Sequence, residues 1–246
     1  MFDLDILYSN KTKAKEAIAN SDFYNFICDD LITRAFRLQK LPQKILLIDP
    51  PIKTKIESAL SKKYTDASII IRFANQLSNL QEKFDLILYP FGMHWSVDVQ
   101  FTLKNIYTRL KPEGVFIANF AGEGSLSSLQ KKLFLLEDKF TNKHFPHISP
   151  FIKFEYMTPL LQQAGYQENI IDIEDIEIES ETPLALMKSL QRYGESNVLK
   201  KRGGYSITPA MYRELRTKCE KPFIDYIRVI SFICSPKRGT IKLRHK

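Results

Sequence analysis

Residues 84–120, FDLILYPFGMHWSVDVQFTLKNIYTRLKPEGVFIANF, constrain the fold more than any other stretch of the chain. They read as one strand–helix–strand unit. Phe84-Asp85-Leu86-Ile87-Leu88-Tyr89 is a short apolar run of the length of a buried strand. A polar loop carrying Gly92, His94, Trp95 and Ser96 follows, and Asp98 is placed to cap a helix, its carboxylate accepting from free amides of the first turn. Val99, Leu103, Ile106, Tyr107 and Leu110 then fall on one helical face. Lys111-Pro112-Glu113-Gly114 reads as a turn in which Pro fixes φ and Gly takes the left-handed conformation, and Val115-Phe116-Ile117-Ala118 re-enters the sheet.

The flanking sequence repeats this alternation. Residues 11–39 carry Phe23, Ile27, Leu31, Ala35 and Leu38 at largely helical spacing and predict a helical cover over about 1–40. Lys44–Ile48 and Ser68–Phe73 are strand-like, with a helix around Ile56 and Leu60 between them. Leu126, Leu129, Leu133, Leu136 and Phe140 form a narrow helical stripe. Thr158-Pro159, Thr182-Pro183 and Thr208-Pro209 are each read as a helix start, Thr capping and Pro taking the first helical position, where its missing N–H costs nothing. Residues 171–179 alternate as a strand with one face in solvent, and residues 223–234 are the last long strand region. The expectation is an α/β, Rossmann-like fold. Its sheet is mainly parallel with an antiparallel C-terminal strand or pair, in a single domain over 1–235.

At His94-Trp95, Leu110-Lys111-Pro112-Glu113-Gly114, residues 146–151 (PHISPF) and 194–197 (GESN), the chain resembles the class I S-adenosylmethionine (SAM) dependent methyltransferases. The set is most similar to the branch holding a mitochondrial complex I assembly factor, whose bacterial relatives resemble the malonyl-carrier-protein methyltransferase of biotin synthesis. The resemblance covers nearly the whole chain. It implies SAM as cofactor, and a protein partner that is either a respiratory complex subunit or a carrier protein.

In that superfamily the first strand ends in an acid, one apolar residue and a Gly-x-Gly loop, whose bare backbone lets the methionine part of SAM approach. Here Leu47 stands at the acidic position, Asp49 at the first glycine and Pro51 at the second. Proline also removes a backbone donor and forbids positive φ. From Asp49 to Phe84 is 35 positions, where a complete strand–helix–strand–helix passage takes roughly fifty to sixty. One βα unit therefore reads as shortened. The acid that normally ends the second strand and holds the ribose is absent after Phe73.

Asp49 and Tyr89 are the candidate cofactor contacts, and His94, Trp95 and His147 the candidate catalytic residues. His94 and Trp95 follow a central strand, where open α/β sheets place ligands. His94 can act there as a base or orient an acceptor, while the plainer alternative has Trp95 packing on the sheet and His94 bonding a loop carbonyl. His147 lies in a proline-bounded loop that serves as a lid or simply as a fixed turn. His144 and His147 lack a third ligand, so no metal site is expected.

Composition narrows the classes further. Five of the formal +8 charges lie in residues 235–246, SPKRGTIKLRHK, so the body is barely basic and a specific nucleic-acid partner is not expected. Residues 236–246 hold little apolar surface and are read as a flexible basic tail. Cys28, Cys219 and Cys234 form no disulfide or metal pattern, and no apolar run approaches the ~18–20 residues of a membrane span. With no basic-then-apolar leader visible, a cytoplasmic protein is expected. Two functions remain open. One is an active methyltransferase acting on a carrier-bound acid or a protein side chain, with arginine hydroxylation as a variant chemistry in the assembly-factor branch. The other is a partner-binding assembly protein with weakened or lost SAM binding.

Overall fold

The computed structural model describes residues 2–141, 143–200, 207–218 and 221–244; Cys219, the last two residues of the basic tail and the 201–206 stretch lie outside them. The elements run α1 (Leu4–Lys13), α2 (Lys15–Ala19), α3 (Asp22–Arg37), β1 (Lys44–Ile48), α4 (Lys53–Lys63), β2 (Ser68–Arg72), β3 (Phe84–Pro90), α5 (Val99–Arg109) and β4 (Leu110–Ala121). They continue with α6 (Ser127–Phe140), α7 (Phe154–Ala164), β5 (Glu168–Ser180), α8 (Pro183–Arg192), α9 (Pro209–Arg216) and β6 (Phe223–Ser235). The six strands lie in the order β2-β1-β3-β4-β6-β5. β1 is parallel to β2 and β3, β3 is parallel to β4, and β6 is antiparallel to β4. This is the mixed α/β sheet expected. Between β2 and β3 only a 3₁₀ segment, Ala74–Asn79, replaces a helix and a further strand.

The chain divides into two compact units. The larger comprises Ile18–Ala121, Ile152–Ile173 and Val229–Lys246; the smaller comprises Met1–Ala17, Gly122–Phe151 and Glu174–Arg228. In the larger unit Leu46 and Ile48 of β1, Ile87 of β3, and Phe116 and Phe120 of β4 share one core with Leu103 and Ile106 of α5 and Met157 and Leu161 of α7. Strand alternation turns Ile45 and Leu47 to the opposite face, where they too are fully buried. In the smaller unit, α6 buries Leu129, Leu133 and Leu136, α8 buries Leu184 and Leu186, and α9 buries Met211 and Leu215. Asp98, Thr182 and Thr208 cap their helices as expected, each accepting from an amide three residues on.

Three expectations differ from the structure. Thr158-Pro159 does not start a helix: α7 begins at Phe154 and runs through Pro159. The proline removes one intrahelical donor, and burial of Met157, Leu161 and Ala164 on a single face offsets that loss. Gly114 is not left-handed. Lys111–Gly114 bulge out of β4 between the pairs Phe84–Leu110 and Leu86–Val115, and glycine is required because a Cβ would lie 2.9 Å from the Phe84 carbonyl oxygen.

The third difference is the basic tail, which is tied down over residues 236–244. The Gln39 amide donates to Lys242 O at 2.9 Å, Arg244 N to Arg37 O at 2.7 Å, and Leu38 and Leu243 form an antiparallel bridge. Glu168 accepts the amides of Thr240 and Ile241 at 2.9 and 3.0 Å. These bonds run through backbone groups of the tail, which composition does not reveal. No helix of the described residues is long and apolar enough to cross a membrane.

Candidate functional site

The carboxyl ends of β1 and β3 carry two of the three non-glycine residues with positive φ among the described residues, Asp49 at 41° and Phe91 at 45°. These strands are paired, Leu47 beside Leu88, so the two left-handed residues leave the sheet next to one another. A left-handed L-residue is uncommon and persists only where its surroundings over-determine it. Both positions meet that condition. The Asp49 amide donates to Arg72 O at 3.1 Å, and its Oδ2 accepts the amide of Ala74 at 3.2 Å. The acid reaching the end of β2 thus comes from β1, and it holds the chain itself. The Phe91 amide donates to both the backbone and side-chain oxygens of Asn119, at 2.9 and 3.0 Å, while Asn119 Nδ2 donates to Ile27 O at 3.0 Å.

This anchoring fixes the 3₁₀ turn Met93–Trp95. The Phe91 ring packs edge-on against Phe23 and Tyr24 of α3, with centroids 5.1 and 5.8 Å away, and lies 4.9 Å from the His94 ring. The Trp95 ring centroid is 5.2 Å from that of His94. Phe91 and His94 are each 6% exposed and Trp95 8%. The candidate base therefore sits among closed aromatic rings. Tyr89, the second candidate cofactor contact, is buried in the core, and its ring covers Gly92 so closely that a Cβ there would lie 2.3 Å from Cε2.

The residues after β1 fit a SAM methionine poorly. Where the family offers bare glycine backbone, this loop presents the Asp49 side chain and two proline rings, Pro50 and Pro51. The Asp49 carboxylate is already engaged with the Ala74 amide. After β2 come Phe73, which is 54% exposed, and Ala74, so β2 ends without an acid of its own, and the acceptors that reach that end, Asp49 Oδ2 and Gln76 Oε1, bond the amides of Ala74 and Phe73.

His147 belongs to the smaller unit, with its own surroundings. Its Nε2 lies 2.7 Å from Glu137 Oε1, and Glu137 Oε2 accepts the Phe145 amide at 3.2 Å. Glu137 is 3% exposed. Asn197 Nδ2 donates to the carbonyls of Pro146 and of His147, the latter at 3.1 Å, and its Oδ1 accepts the Leu199 amide at 3.0 Å. Gly194, at φ 71°, lets the chain pass against Asn10, where a Cβ would stand 3.0 Å from the carbonyl, and Glu195 pairs with Lys11. The motifs at 146–151 and 194–197 are thus one hydrogen-bonded assembly. Among the described residues no group of His, Cys, Asp and Glu is arranged to hold a metal ion. Burial pushes the Cys28 thiol up to about 12 and Cys234 well above its ordinary value, which disfavours the thiolate at both.

Asn119, Phe91 and Glu137 were missed by motif reading. Asn119 could have been flagged as an amide inside the apolar run VFIANF, and Glu137 as an acid four residues beyond Leu133 on the apolar stripe of α6. No sequence signal marks a left-handed phenylalanine.

No protein-family model matches the chain. It is 43% identical over 164 residues to the Rickettsia prowazekii protein RP459, which carries a methyltransferase name, covering 67% of this chain and 72% of that one. The mitochondrial arginine-hydroxylase NDUFAF5 of Danio rerio is 34% identical over 141 residues, 55% of this chain and 44% of the relative. A malonyl-acyl-carrier-protein O-methyltransferase of Coxiella burnetii is 25% identical over 136 residues, 55% of this chain and 45% of the relative. The chain therefore spans less than half the length of these last two relatives. Among solved structures, Bacillus subtilis YcgJ superposes with a TM-score of 0.52 at 11% identity, over 87% of this chain and all of that one. A Bacillus halodurans protein with a methyltransferase name superposes with a TM-score of 0.50 at 9% identity, over 83% and 96%. At such identities the likeness is one of fold.

Proposed function

Because the chain belongs to the class I methyltransferase family, we propose that it retains the family's sheet and partner-binding loops but has lost the ordinary mode of SAM binding. In this reading it serves as a partner-binding protein in the assembly of a respiratory complex. The observation that carries the reading is Asp49: a side chain stands at the glycine position and its carboxylate is used to hold the end of β2. Phe23, Tyr24, Phe91, His94 and Trp95 closing over the end of β3 support it. The partner surface is the assembly of residues 146–151 with 194–197, built on Glu137 and Asn197, and the partner is a protein, either a respiratory complex subunit or a carrier protein. His94 and Trp95 then support the loop, and His147 shapes the partner surface. Free, buried Cys28 and Cys234 suit the reducing cytoplasm.

Isothermal titration with SAM tests the reading. Each lost polar contact costs on the order of 1–3 kcal/mol. Two or three such losses leave little of a micromolar affinity, which is about 8 kcal/mol, so a Kd above ~1 mM is expected. Micromolar binding would overturn the reading.

A second reading, an active SAM-dependent methyltransferase acting on a carrier-bound acid or a protein side chain, draws on the left-handed backbone kept at Asp49 and Phe91. Such a backbone still turns the chain as a glycine loop does. Methyl transfer from labelled SAM to a carrier protein or a complex I subunit separates the two readings.

A further inference from the structure

β2 is the last strand on its side of the sheet and pairs with β1 alone. The Ser68 amide donates to Gln43 O, and Arg72 O accepts from the Asp49 amide. Backbone groups alternate along a strand, so Ser68, Ile70 and Arg72 address β1 while Ile69 and Ile71 turn their N–H and C=O outward. Among the described residues no strand meets them. The side chains of Ile69, Ile70 and Ile71 are each only half-buried. A bare edge of this kind templates further pairing unless it is guarded. Two guards are present: the strand is five residues long, and the Arg72 guanidinium folds back onto the Ile71 carbonyl at 2.8 Å.

We propose that this edge pairs with the same edge of a second copy of the chain, antiparallel about Ile70, joining two six-stranded sheets into one. A two-fold axis at Ile70 sets Ile69 opposite Ile71 of the other copy. Both residues face outward, so each pair exchanges N–H to C=O bonds in both directions, and symmetry supplies the second pair. Charge fits this register. Arg72 comes opposite Ser68 of the other copy and beside the turn holding Asp66, whereas a parallel pairing sets Arg72 beside Arg72. Neither Asp66 nor Arg72 takes part in an ion pair among the described residues. When the Ile71 carbonyl accepts an amide across the axis, the Arg72 guanidinium is released toward that Asp66. The self-complementarity of acid at one end and base at the other identifies a second copy, rather than a foreign strand, as the occupant.

Light scattering on the full chain at tens of micromolar tests the proposal, with circular dichroism as the fold control. The wild type is expected at twice the protomer mass. Ile71→Pro removes an outward N–H that the sheet itself does not use, and proline is tolerated on such an edge; this variant is expected to be monomeric. Arg72→Asp places two acids together and is expected to raise the dimer dissociation constant at least ~10-fold. The double exchange Asp66→Arg with Arg72→Asp is expected to restore it to within ~3-fold. A monomeric wild type overturns the proposal, as does a dimer indifferent to Arg72→Asp or one the double exchange leaves weak. If Ile71→Pro does not fold, the two charge variants decide.

Discussion

Replacing Asp49 by alanine and by glycine separates the two things this residue does. At φ 41° an L-residue bears the left-handed penalty of roughly 1–2 kcal/mol, and Asp tolerates it through local hydrogen bonding. Its Oδ2 satisfies the Ala74 amide, which would otherwise lose about 1–3 kcal/mol. Alanine keeps the Cβ and its penalty while losing the bond, so Asp49→Ala is expected to destabilise by about 2 kcal/mol. Glycine also loses the bond and adds about 0.5–1 kcal/mol of unfolded-state entropy, but it removes the Cβ penalty; its cost is about 1 kcal/mol. The expected order of stability is therefore wild type, glycine, alanine, with Asp49→Asn close to wild type because asparagine shares both properties. Urea unfolding with a common slope reads these differences as shifts in midpoint. Alanine equal to or more stable than glycine would refute the backbone account of this loop. Asp49→Gly should not restore SAM binding, because Pro51 remains and no acid directly follows β2. Micromolar binding by that variant would show the obstruction to be the Asp49 side chain alone.

The electrostatic anchor of β3 and the docked tail can be tested in the same way. Asp85 accepts the amides of Gln43 and Lys44 and the Lys111 ammonium. Burial pulls its pKa up, but Lys111 and the two amides outweigh this and hold it below the ordinary value. A lowered folded pKa stabilises above the unfolded value near 3.9 and loses that contribution as pH falls through the folded one. Asp85→Asn should thus cost about 1–3 kcal/mol at neutral pH, with the gap to wild type narrowing only as pH falls below the unfolded value of about 3.9; a pH-independent gap refutes the assignment. Truncation after Ser235 removes two backbone–backbone bonds at Arg37 and Gln39 and two amide bonds to the Glu168 carboxylate and should cost roughly 2–4 kcal/mol. An unchanged melting temperature would show that the tail contributes nothing.

The sequence by itself determined the sheet, the helices packed on it and the family. Apolar runs at 44–48, 68–72 and 84–90 read as strands because they are short, apolar, partly β-branched and bounded by turn residues; β1 and β3 bury four or five consecutive side chains, while the edge strand β2 buries its three isoleucines only in part. Asp98, Thr182 and Thr208 announced their helix starts because a cap is a local interaction, complete within four residues. The displaced glycines were equally legible, since a missing residue type needs no coordinates to be noticed. What Asp49 does in place of glycine was not, because its partner, the Ala74 amide, lies 25 positions away and is brought to it only by the pairing of β1 with β2. The same holds for Asn119 reaching Ile27 and Phe91, for Glu137 gathering His147 and the Phe145 amide, and for a tail held by backbone bonds. Thr158-Pro159 shows the converse case, a local start signal overruled by a buried face that begins the helix at Phe154. Local interactions are written in consecutive residues; which distant donor meets which acceptor is decided by the packing that brings them together.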